Sequence, residues 1–193
     1  MIIRKLFKFE NAHIVRGCTT KRCSQNIHGH SYKVEVLLES DYLDNGQMVY
    51  DFGLVKHNIK ELIDSFDHAI TLWSNDDIEY INDMKKHSCR WIELPVSPSA
   101  EQFARVFFVI IEQILARTIM SNAEQGVKLH SIIVHETDTG YAQAFDKDAH
   151  NINMGYIDIQ QICFSNDIIS SWSNENLWND IIFKKSIANP VKI

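Results

Sequence analysis

The stretch that decides the fold is RCSQNIHGHSYKVEV, residues 22–36, in which a cysteine and two histidines precede an alternating run. From His28 onward every second residue falls on the same face of an extended chain, because side chains alternate along a strand. That face comprises His28, His30, Tyr32, Val34, Val36 and Leu38, and the opposite face is largely charged. The pattern predicts a half-buried β-strand with two imidazoles side by side at its beginning.

A second period-two segment, IIRKLFKFENAH, covers residues 2–13 and places His13 on the same face as Phe7 and Phe9. If the two strands pair antiparallel, His13 comes to lie beside His28 and His30. Three neutral imidazoles suit zinc better than magnesium or calcium, which prefer oxygen ligands. The alternative is that each histidine is an ordinary hydrogen-bonded core or surface residue, and the pairing of the strands decides between the two.

Turn and capping residues predict the elements that follow. Asn45-Gly46 is a hairpin signal, which predicts that residues 48–50 return as a third strand. Asp51 is a suitable N-cap for a helix whose apolar residues recur at helical spacing. That helix is expected to stop just before Asp67-His68.

The second half of the chain has one clear helix and one clear strand pair. Ser97 as N-cap and Pro98 as first residue predict a helix through residue 115. Residues 127–145 read as a strand, a turn and another strand. Residues 73–96 resemble an inserted polar helix, and the asparagine-rich residues 151–193 give no fold prediction.

Composition limits the class of protein. The 193 residues are 45% hydrophobic and 23% charged, which suits one soluble domain with a core. No apolar run approaches the roughly 20 residues of a bilayer span, and residues 1–11 lack a signal peptide's apolar region, so we expect a cytoplasmic protein without a membrane partner. The net charge of −6 argues against nucleic acid as a partner. Four unevenly spaced cysteines predict no disulfide framework and leave room for a working thiol.

The order of the motifs carries a family resemblance. In sequence come FENAH at 9–13, a cysteine before HGH at 28–30, MVYDF at 48–52, DHA at 67–69, SPSAEQFA at 97–104 and HETDTGYA at 135–142. Together they resemble the family of 6-pyruvoyltetrahydropterin synthases and 6-carboxytetrahydropterin synthases. The resemblance covers roughly residues 1–145.

The resemblance implies an α+β tunnelling fold (T-fold), with a four-stranded antiparallel sheet and two helices on one face. In this fold the sheets of several subunits close a barrel and active sites lie between chains, usually in a homohexamer built as a dimer of trimers. We therefore expect a pterin synthase domain in residues 1–150, with segment 73–96 inserted, and a C-terminal extension in residues 151–193.

The resemblance also assigns roles to individual residues. The family's zinc histidines fall on His13, His28 and His30, the residues that the strand geometry selects. Its catalytic cysteine falls on Cys23, the aspartate and histidine that assist it fall on Asp67 and His68, and its pterin-anchoring glutamate falls on Glu136.

The implied activity is a zinc-dependent lyase acting on a small pterin triphosphate. It would convert 7,8-dihydroneopterin triphosphate to 6-carboxy-5,6,7,8-tetrahydropterin, acetaldehyde and triphosphate, a step toward queuosine and other 7-deazapurines. One alternative is a 6-pyruvoyltetrahydropterin synthase, since the four residues between Cys23 and His28 do not decide the product. Another is a non-catalytic zinc-binding or pterin-binding assembly protein. A zinc hydrolase is disfavoured because the chain has no HExxH motif.

Overall fold

The computed structural model describes residues 1–189, which form a large sheet and a small two-stranded one, covered by helices. The strands are β1 (Ile2–His13), β2 (His28–Glu39), β3 (Ala69–Trp73), β4 (Trp91–Leu94), β5 (Thr118–Ile119), β6 (Lys128–His135), β7 (Tyr141–Ala144), β8 (Cys163–Phe164) and β9 (Ile187–Ala188). The helices are α1 (Lys21–Ser24), α2 (Phe52–Val55), α3 (Asn58–Asp64), α4 (Ile78–His87), α5 (Ala100–Arg117), α6 (Asp146–Ala149), α7 (Asn166–Ser171) and α8 (Leu177–Ile182). Within residues 1–189 no helix combines the length and the apolar character that crossing a bilayer requires.

The large sheet has seven strands in the order β7-β6-β2-β1-β3-β4-β8. Its first four strands are mutually antiparallel and form the predicted four-stranded sheet. The register between β1 and β2 places His13 opposite His28 and Asn11 opposite His30. Beyond β1 the sheet continues with the parallel strands β3 and β4, which the sequence did not predict.

One face of the antiparallel half is covered by α3 and α5, as predicted. The apolar face of α5 carries Phe103 and Phe107, both fully buried, and these rings pack around Phe9 of β1. Burying one such side chain stabilises the fold by about 1.5–3 kcal/mol. This aromatic layer lies directly beside the histidine end of β1 and β2 and fixes its backbone.

The predicted third strand at residues 48–50 is absent. Instead, the Asp44 carboxylate accepts hydrogen bonds of 2.8 Å from the backbone N–H groups of Gly46 and Met48. This side-chain closure makes a local turn, as aspartate often does, and competes with a hairpin ladder. Val49 and Tyr50 are nevertheless buried, which explains the apolar pattern.

The first predicted helix is interrupted. Asp51 caps it as expected, accepting a 2.6 Å hydrogen bond from the Gly53 N–H. The chain then leaves helical geometry at His57, where ψ is −113°, so that α2 and α3 are separate.

The second predicted helix begins two residues later than expected. Its N-cap is Ser99, whose hydroxyl accepts from the Gln102 N–H, and not Ser97. Pro98 therefore precedes the helix, and its carbonyl is free to accept a hydrogen bond from His13.

The inserted segment contains the predicted helix, α4, between the two parallel strands. It packs on the sheet face opposite α5, where Ile81 contacts Ile70 and Leu72 in a small separate cluster. Helix α4 is tied to the loop after β1 by Arg16, whose Nε donates to both carboxylate oxygens of Asp76 at 3.0 and 2.9 Å.

Residues 151–189 pack into the same core as the rest of the chain. Phe164, Trp172 and Trp178 are buried there, and the Trp172 indole donates a 2.8 Å hydrogen bond to the Ser65 hydroxyl. Residues 190–193 of the predicted extension lie outside the described residues.

A buried arginine joins this C-terminal segment to α5. The Arg105 side chain donates to main-chain carbonyls of five residues, which are Asp148, Ala149, Asn151, Met154 and Gly155. Because all five acceptors are backbone oxygens, Arg105 fixes the path of the chain where it leaves α6.

Candidate metal centre and active site

Three histidines converge at the end of the β1–β2 pair. One ligand nitrogen of each of His13, His28 and His30 lies within 4.8 Å of the others. Cross-strand pairing places His13 opposite His28, and the two-residue repeat places His30 on the same face. The structure thus brings together the three residues that the sequence selects as metal ligands.

Two backbone carbonyls orient two of these rings. His13 Nδ1 lies 2.5 Å from the Pro98 carbonyl oxygen, and His28 Nδ1 lies 3.0 Å from that of Asn26. A carbonyl only accepts, so each Nδ1 carries the proton and each Nε2 presents its lone pair to the centre. Such outer partners are typical of histidines that bind a metal.

Burial keeps His13 neutral. Its side chain is fully buried, and desolvation lowers the pKa of the imidazole from 6.5 to about 4, with smaller contributions from His28 and His30. The hydrogen bond to Pro98 opposes this shift without cancelling it. The donor set of neutral imidazole nitrogens fits zinc, which takes three protein ligands in sites that keep one position open.

A carboxylate and a phenol border the histidines. Glu136 follows β6, and its Oε1 lies 3.9 Å from His13 Nε2 and 3.8 Å from His30 Nε2. The buried Tyr32 hydroxyl donates to the same oxygen at 3.2 Å. Burial, followed by the nearby Glu136 charge, raises the pKa of Tyr32, so the phenol remains a donor.

Cys23 lies in a cavity of about 360 Å³ whose lining also includes Cys18, His28, Glu101 and Glu136. Partial burial, then the neighbouring Cys18 and Glu136, raises the pKa of the Cys23 thiol. The chain's own groups therefore hold Cys23 as a thiol at neutral pH. The predicted thiolate needs a positive charge beside it.

Asp67 and His68 lie beside β1, hydrogen-bonded to the backbone of Glu10. His68 lines a cavity of about 550 Å³ together with Met84 of α4, with Ala12 and Gly29, and with His30 of the trihistidine cluster. The Asp67 carboxylate accepts a 2.8 Å hydrogen bond from the Glu10 N–H. Within one chain the structure does not bring this pair to the trihistidine centre.

The Asp67-His68 turn is held in a specific conformation. His68 has a φ of 54°, a left-handed value that non-glycine residues adopt rarely, and its side chain is 79% exposed. Its N–H donates to the Glu10 carbonyl at 2.8 Å, and its Nε2 lies 3.9 Å from Asp67 Oδ2. The result is an imidazole that projects outward beside a fixed carboxylate.

Another group with ligand atoms is less suited to a metal. Glu112, Asp146 and His150 have ligand atoms within 4.8 Å of one another, but Asp146 and His150 are exposed and His150 pairs with Glu112 at 3.0 Å. The neighbouring cavity of about 780 Å³ is larger than the one at Cys23, yet none of the three catalytic candidates, Cys23, Asp67 and His68, lines it. Size alone therefore does not identify the site.

Sequence reasoning missed three contributors to this centre. The Pro98 and Asn26 carbonyls left no signal, because any residue offers a carbonyl and only the fold brings one to an imidazole. Tyr32 did leave a signal, since it follows His28 and His30 on the same face of β2. Its contact with Glu136 depends on the pairing of β2 with β6.

Comparison with known proteins identifies the family of this chain. Residues 2–147 match the family described as 6-pyruvoyl tetrahydropterin synthase. A relative from Helicobacter pylori (strain J99), named 6-carboxy-5,6,7,8-tetrahydropterin synthase, is 39% identical over 94% of this chain and 92% of its own length. One of the same name from Aquifex aeolicus is 32% identical over 73% of this chain and 95% of its own length. The H. pylori match includes most of residues 151–193.

Solved structures agree on the fold. An uncharacterized protein from Wolinella succinogenes aligns with a TM-score of 0.58 and 19% identity, over 76% of this chain and 98% of that one. The 6-pyruvoyl tetrahydropterin synthase of Caenorhabditis elegans aligns with a TM-score of 0.52 and 20% identity, over 75% and 94%. The predicted tunnelling fold is thereby confirmed. By its fold and by the family match over most of its length, this chain is an enzyme of the 6-pyruvoyl tetrahydropterin synthase family.

Proposed function

We propose that this enzyme is a zinc-dependent lyase that converts 7,8-dihydroneopterin triphosphate to 6-carboxy-5,6,7,8-tetrahydropterin, acetaldehyde and triphosphate. The observation that carries the proposal is the convergence of three imidazoles beside a cavity that contains a thiol and a carboxylate. The name of the H. pylori relative supports this product. The reaction would serve queuosine synthesis in the cytoplasm.

His13, His28 and His30 would hold the zinc ion through their Nε2 atoms. The two carbonyl partners fix the rings of His13 and His28, so binding requires little reorientation. When bound, zinc supplies a positive charge that polarises a substrate oxygen as a Lewis acid and favours the neighbouring thiolate.

Cys23 would act as the general base at Sγ. Its thiol lies in the same cavity as His28 and Glu136. A base whose proton is held in the resting protein and released beside a cation is suited to take a proton from a substrate carbon.

Glu136 would bind the pterin ring. A carboxylate accepts two hydrogen bonds from adjacent N–H donors, which the pterin ring offers. The side chain is 34% exposed at the cavity wall, so a ring that enters the cavity can reach it.

Asp67 and His68 would complete the site from a second copy of the chain. The cluster of ligand atoms formed by His13, His28 and His30 includes neither residue, and the His68 side chain is 79% exposed. An assembly of the family's hexameric kind, with sites between chains, supplies the geometry that one chain lacks. There the Asp67 carboxylate would orient the His68 imidazole for the second proton transfer.

Two alternative functions differ from this one in the product they predict. A 6-pyruvoyltetrahydropterin synthase would use the same residues for triphosphate elimination, and the family description supports that chemistry. A non-catalytic assembly protein would bind zinc or pterin without turnover, but Cys23 beside His28 in one cavity argues for chemistry.

The deciding experiment is incubation of the zinc-loaded protein with 7,8-dihydroneopterin triphosphate, followed by mass spectrometry of the products. Carboxytetrahydropterin with acetaldehyde is the expected result. Pyruvoyltetrahydropterin would overturn the product assignment. Absence of any product from folded, zinc-loaded protein would overturn the catalytic proposal in favour of a binding protein.

A further inference from the structure

The carboxylate of Glu136 faces the histidines more closely than a pterin anchor needs to. Its Oε1 lies 3.9 Å from His13 Nε2 and 3.8 Å from His30 Nε2. Within residues 1–189 no lysine or arginine pairs with this carboxylate. The charged oxygen therefore points at the atoms that would hold the metal.

This arrangement is unfavourable without a cation. His13 Nδ1 donates to the Pro98 carbonyl, so His13 Nε2 carries a lone pair. A carboxylate oxygen opposite that lone pair brings two electron-rich acceptor atoms together with no proton between them. A cation between them makes both contacts favourable.

The distances from Glu136 Oε1 to the two Nε2 atoms are close to those between ligand atoms around one small ion. Ligand atoms about 2.0–2.1 Å from a tetrahedral zinc ion lie roughly 3.3–3.4 Å apart. Glu136 Oε1 is about half an ångström farther than this from each Nε2, a difference that a small side-chain rotation removes.

We propose that Glu136 is the fourth ligand of the metal in the substrate-free enzyme, held in place by Tyr32. The proposal rests on the metal site of the proposed function and assigns a second role to the residue expected to bind the pterin. When the pterin enters, its N–H donors take the carboxylate and the fourth coordination position opens. Substrate binding and opening of the metal centre then become one event.

The Tyr32 hydroxyl lies closer to Glu136 than to the histidines. Its ring is fully buried and stacks on Phe9 with centroids 5.0 Å apart, which fixes the phenol. Its hydroxyl lies 3.2 Å from Glu136 Oε1 and 3.4 Å from each nitrogen of His13, so its shortest side-chain contact is with the carboxylate. Tyr32 is therefore a positioning residue for the carboxylate.

The test replaces zinc by cobalt(II), whose visible absorption depends on the ligands around it. We compare the full-length protein with the Glu136→Gln variant, in the absence of substrate. The expected result is a changed cobalt spectrum and a metal dissociation constant raised by about tenfold or more in competition with a chelator. Addition of unphosphorylated 7,8-dihydroneopterin should change the spectrum of the unsubstituted protein and leave that of Glu136→Gln nearly unchanged.

Asp138→Asn is the matched control. It changes a carboxylate of the same loop to an amide, but Asp138 pairs with Lys33 at 2.6 Å and does not face the histidines. Its cobalt spectrum and metal affinity should equal those of the unsubstituted protein. If Glu136→Gln also matches the unsubstituted protein in both, Glu136 is not a ligand and the proposal is overturned.

Tyr32→Phe tests the positioning role separately. Removal of the hydroxyl should change the cobalt spectrum in the same direction as Glu136→Gln, with a smaller loss of metal affinity and an unchanged thermal midpoint. The Tyr32→Phe/Glu136→Gln double variant should bind cobalt as Glu136→Gln does, since Tyr32 acts through Glu136. Additive losses would overturn the positioning role.

The outcomes separate this inference from the proposed function. Product formation by the unsubstituted enzyme together with unchanged cobalt binding by Glu136→Gln would leave the lyase and remove the fourth ligand. A changed spectrum without any turnover would leave the fourth ligand and remove the lyase.

Discussion

The two faces of the β1–β2 pair differ in how many candidate site residues each brings together within one chain. On the face that α5 covers, His13, His28 and His30 converge, and Tyr32 and Glu136 border them. At the same end of the opposite face the two strands present Glu10, Ala12, Gly29 and Ser31, and the exposed His68 lies beside them. On one face the three histidines already converge, whereas the groups on the other face would need a second chain to complete a site.

Because side chains alternate between the two faces of a strand, one strand can carry a different function on each face. The histidines and the residues between them share a backbone, so any shift in register moves both faces at once. A centre that must stay fixed is buried against the aromatic layer, while groups that must meet another molecule are exposed. Variants that change one face at a time should therefore have different effects on turnover, metal content and stability.

The largest effect should come from mixing variants of the two faces. Cys23→Ala and His68→Ala should each lower turnover by about 100-fold or more, since each removes a proton-transfer group. If one site uses Cys23 of one chain and His68 of another, co-expressed variants should form about a quarter of their sites from two intact halves. Activity assays on the mixed oligomer check this.

Each variant expressed alone is the control for that mixture. Mixed oligomers with no more activity than the separate variants would show that both groups act within one chain, or that His68 has no catalytic role.

The second largest expected effect is on zinc content, which should differ between variants of the two faces. His28→Ala should weaken zinc binding by about 100-fold, because it removes one of the three imidazole ligands and leaves its place in the preformed centre empty. His68→Ala should keep its zinc, since it lies on the other face. Elemental analysis after dialysis measures both, with His87→Ala on the exposed end of α4 as control. Equal zinc in all three would contradict the trihistidine assignment.

Acid should destabilise the buried face selectively in the metal-free protein. The pKa of His13 is lowered from 6.5 to about 4 by burial, so the unfolded chain takes up this proton more readily than the folded one. Stability is unaffected by His13 above pH 6.5, falls as the pH drops, and is lower by about 3 kcal/mol below pH 4.

Urea unfolding between pH 7 and pH 4 measures that slope. His13→Gln removes the titrating group, so its curve should be flatter over this range. Parallel curves for the two proteins would show that His13 does not carry the effect.

A methyl group on the opposite face gives the smallest predicted effect. A Cβ added at Gly29 would lie 2.9 Å from the Asn11 carbonyl oxygen, which is backbone and cannot move aside alone. Gly29→Ala should therefore cost about 1–3 kcal/mol of unfolding free energy and weaken zinc binding by displacing His28 and His30. Chemical denaturation and metal titration check both. Unchanged zinc affinity would show that the faces are mechanically independent.

The sequence predicted the antiparallel half of the fold because its signals are local. Alternation along β1 and β2 is visible in the residues themselves, and so are the motif order and the Asp51 cap. These patterns also located all three histidines, since strand pairing is the only further step.

The remainder depends on contacts between distant residues. Strand β3 is buried on both faces and so lacks alternation, and β4 has only four residues, too few for a clear pattern. The burial of Trp172 is explained only by contacts with distant residues such as Ser65. The carbonyl of Pro98 became a partner of His13 only because the helix begins at Ala100. The sequence pattern predicted Ser97 as the N-cap, whereas in the folded chain the N-cap is Ser99.

The contacts of Arg105 have a consequence for how this chain can vary. Every main-chain acceptor of its guanidinium between Asp148 and Gly155 is present whatever side chain those positions carry. Substitution of side chains between Asp148 and Gly155 is therefore tolerated. Insertion or deletion of one residue there would move the backbone acceptors away from the guanidinium. We therefore expect the length of this linker to vary less among related chains than its amino-acid sequence.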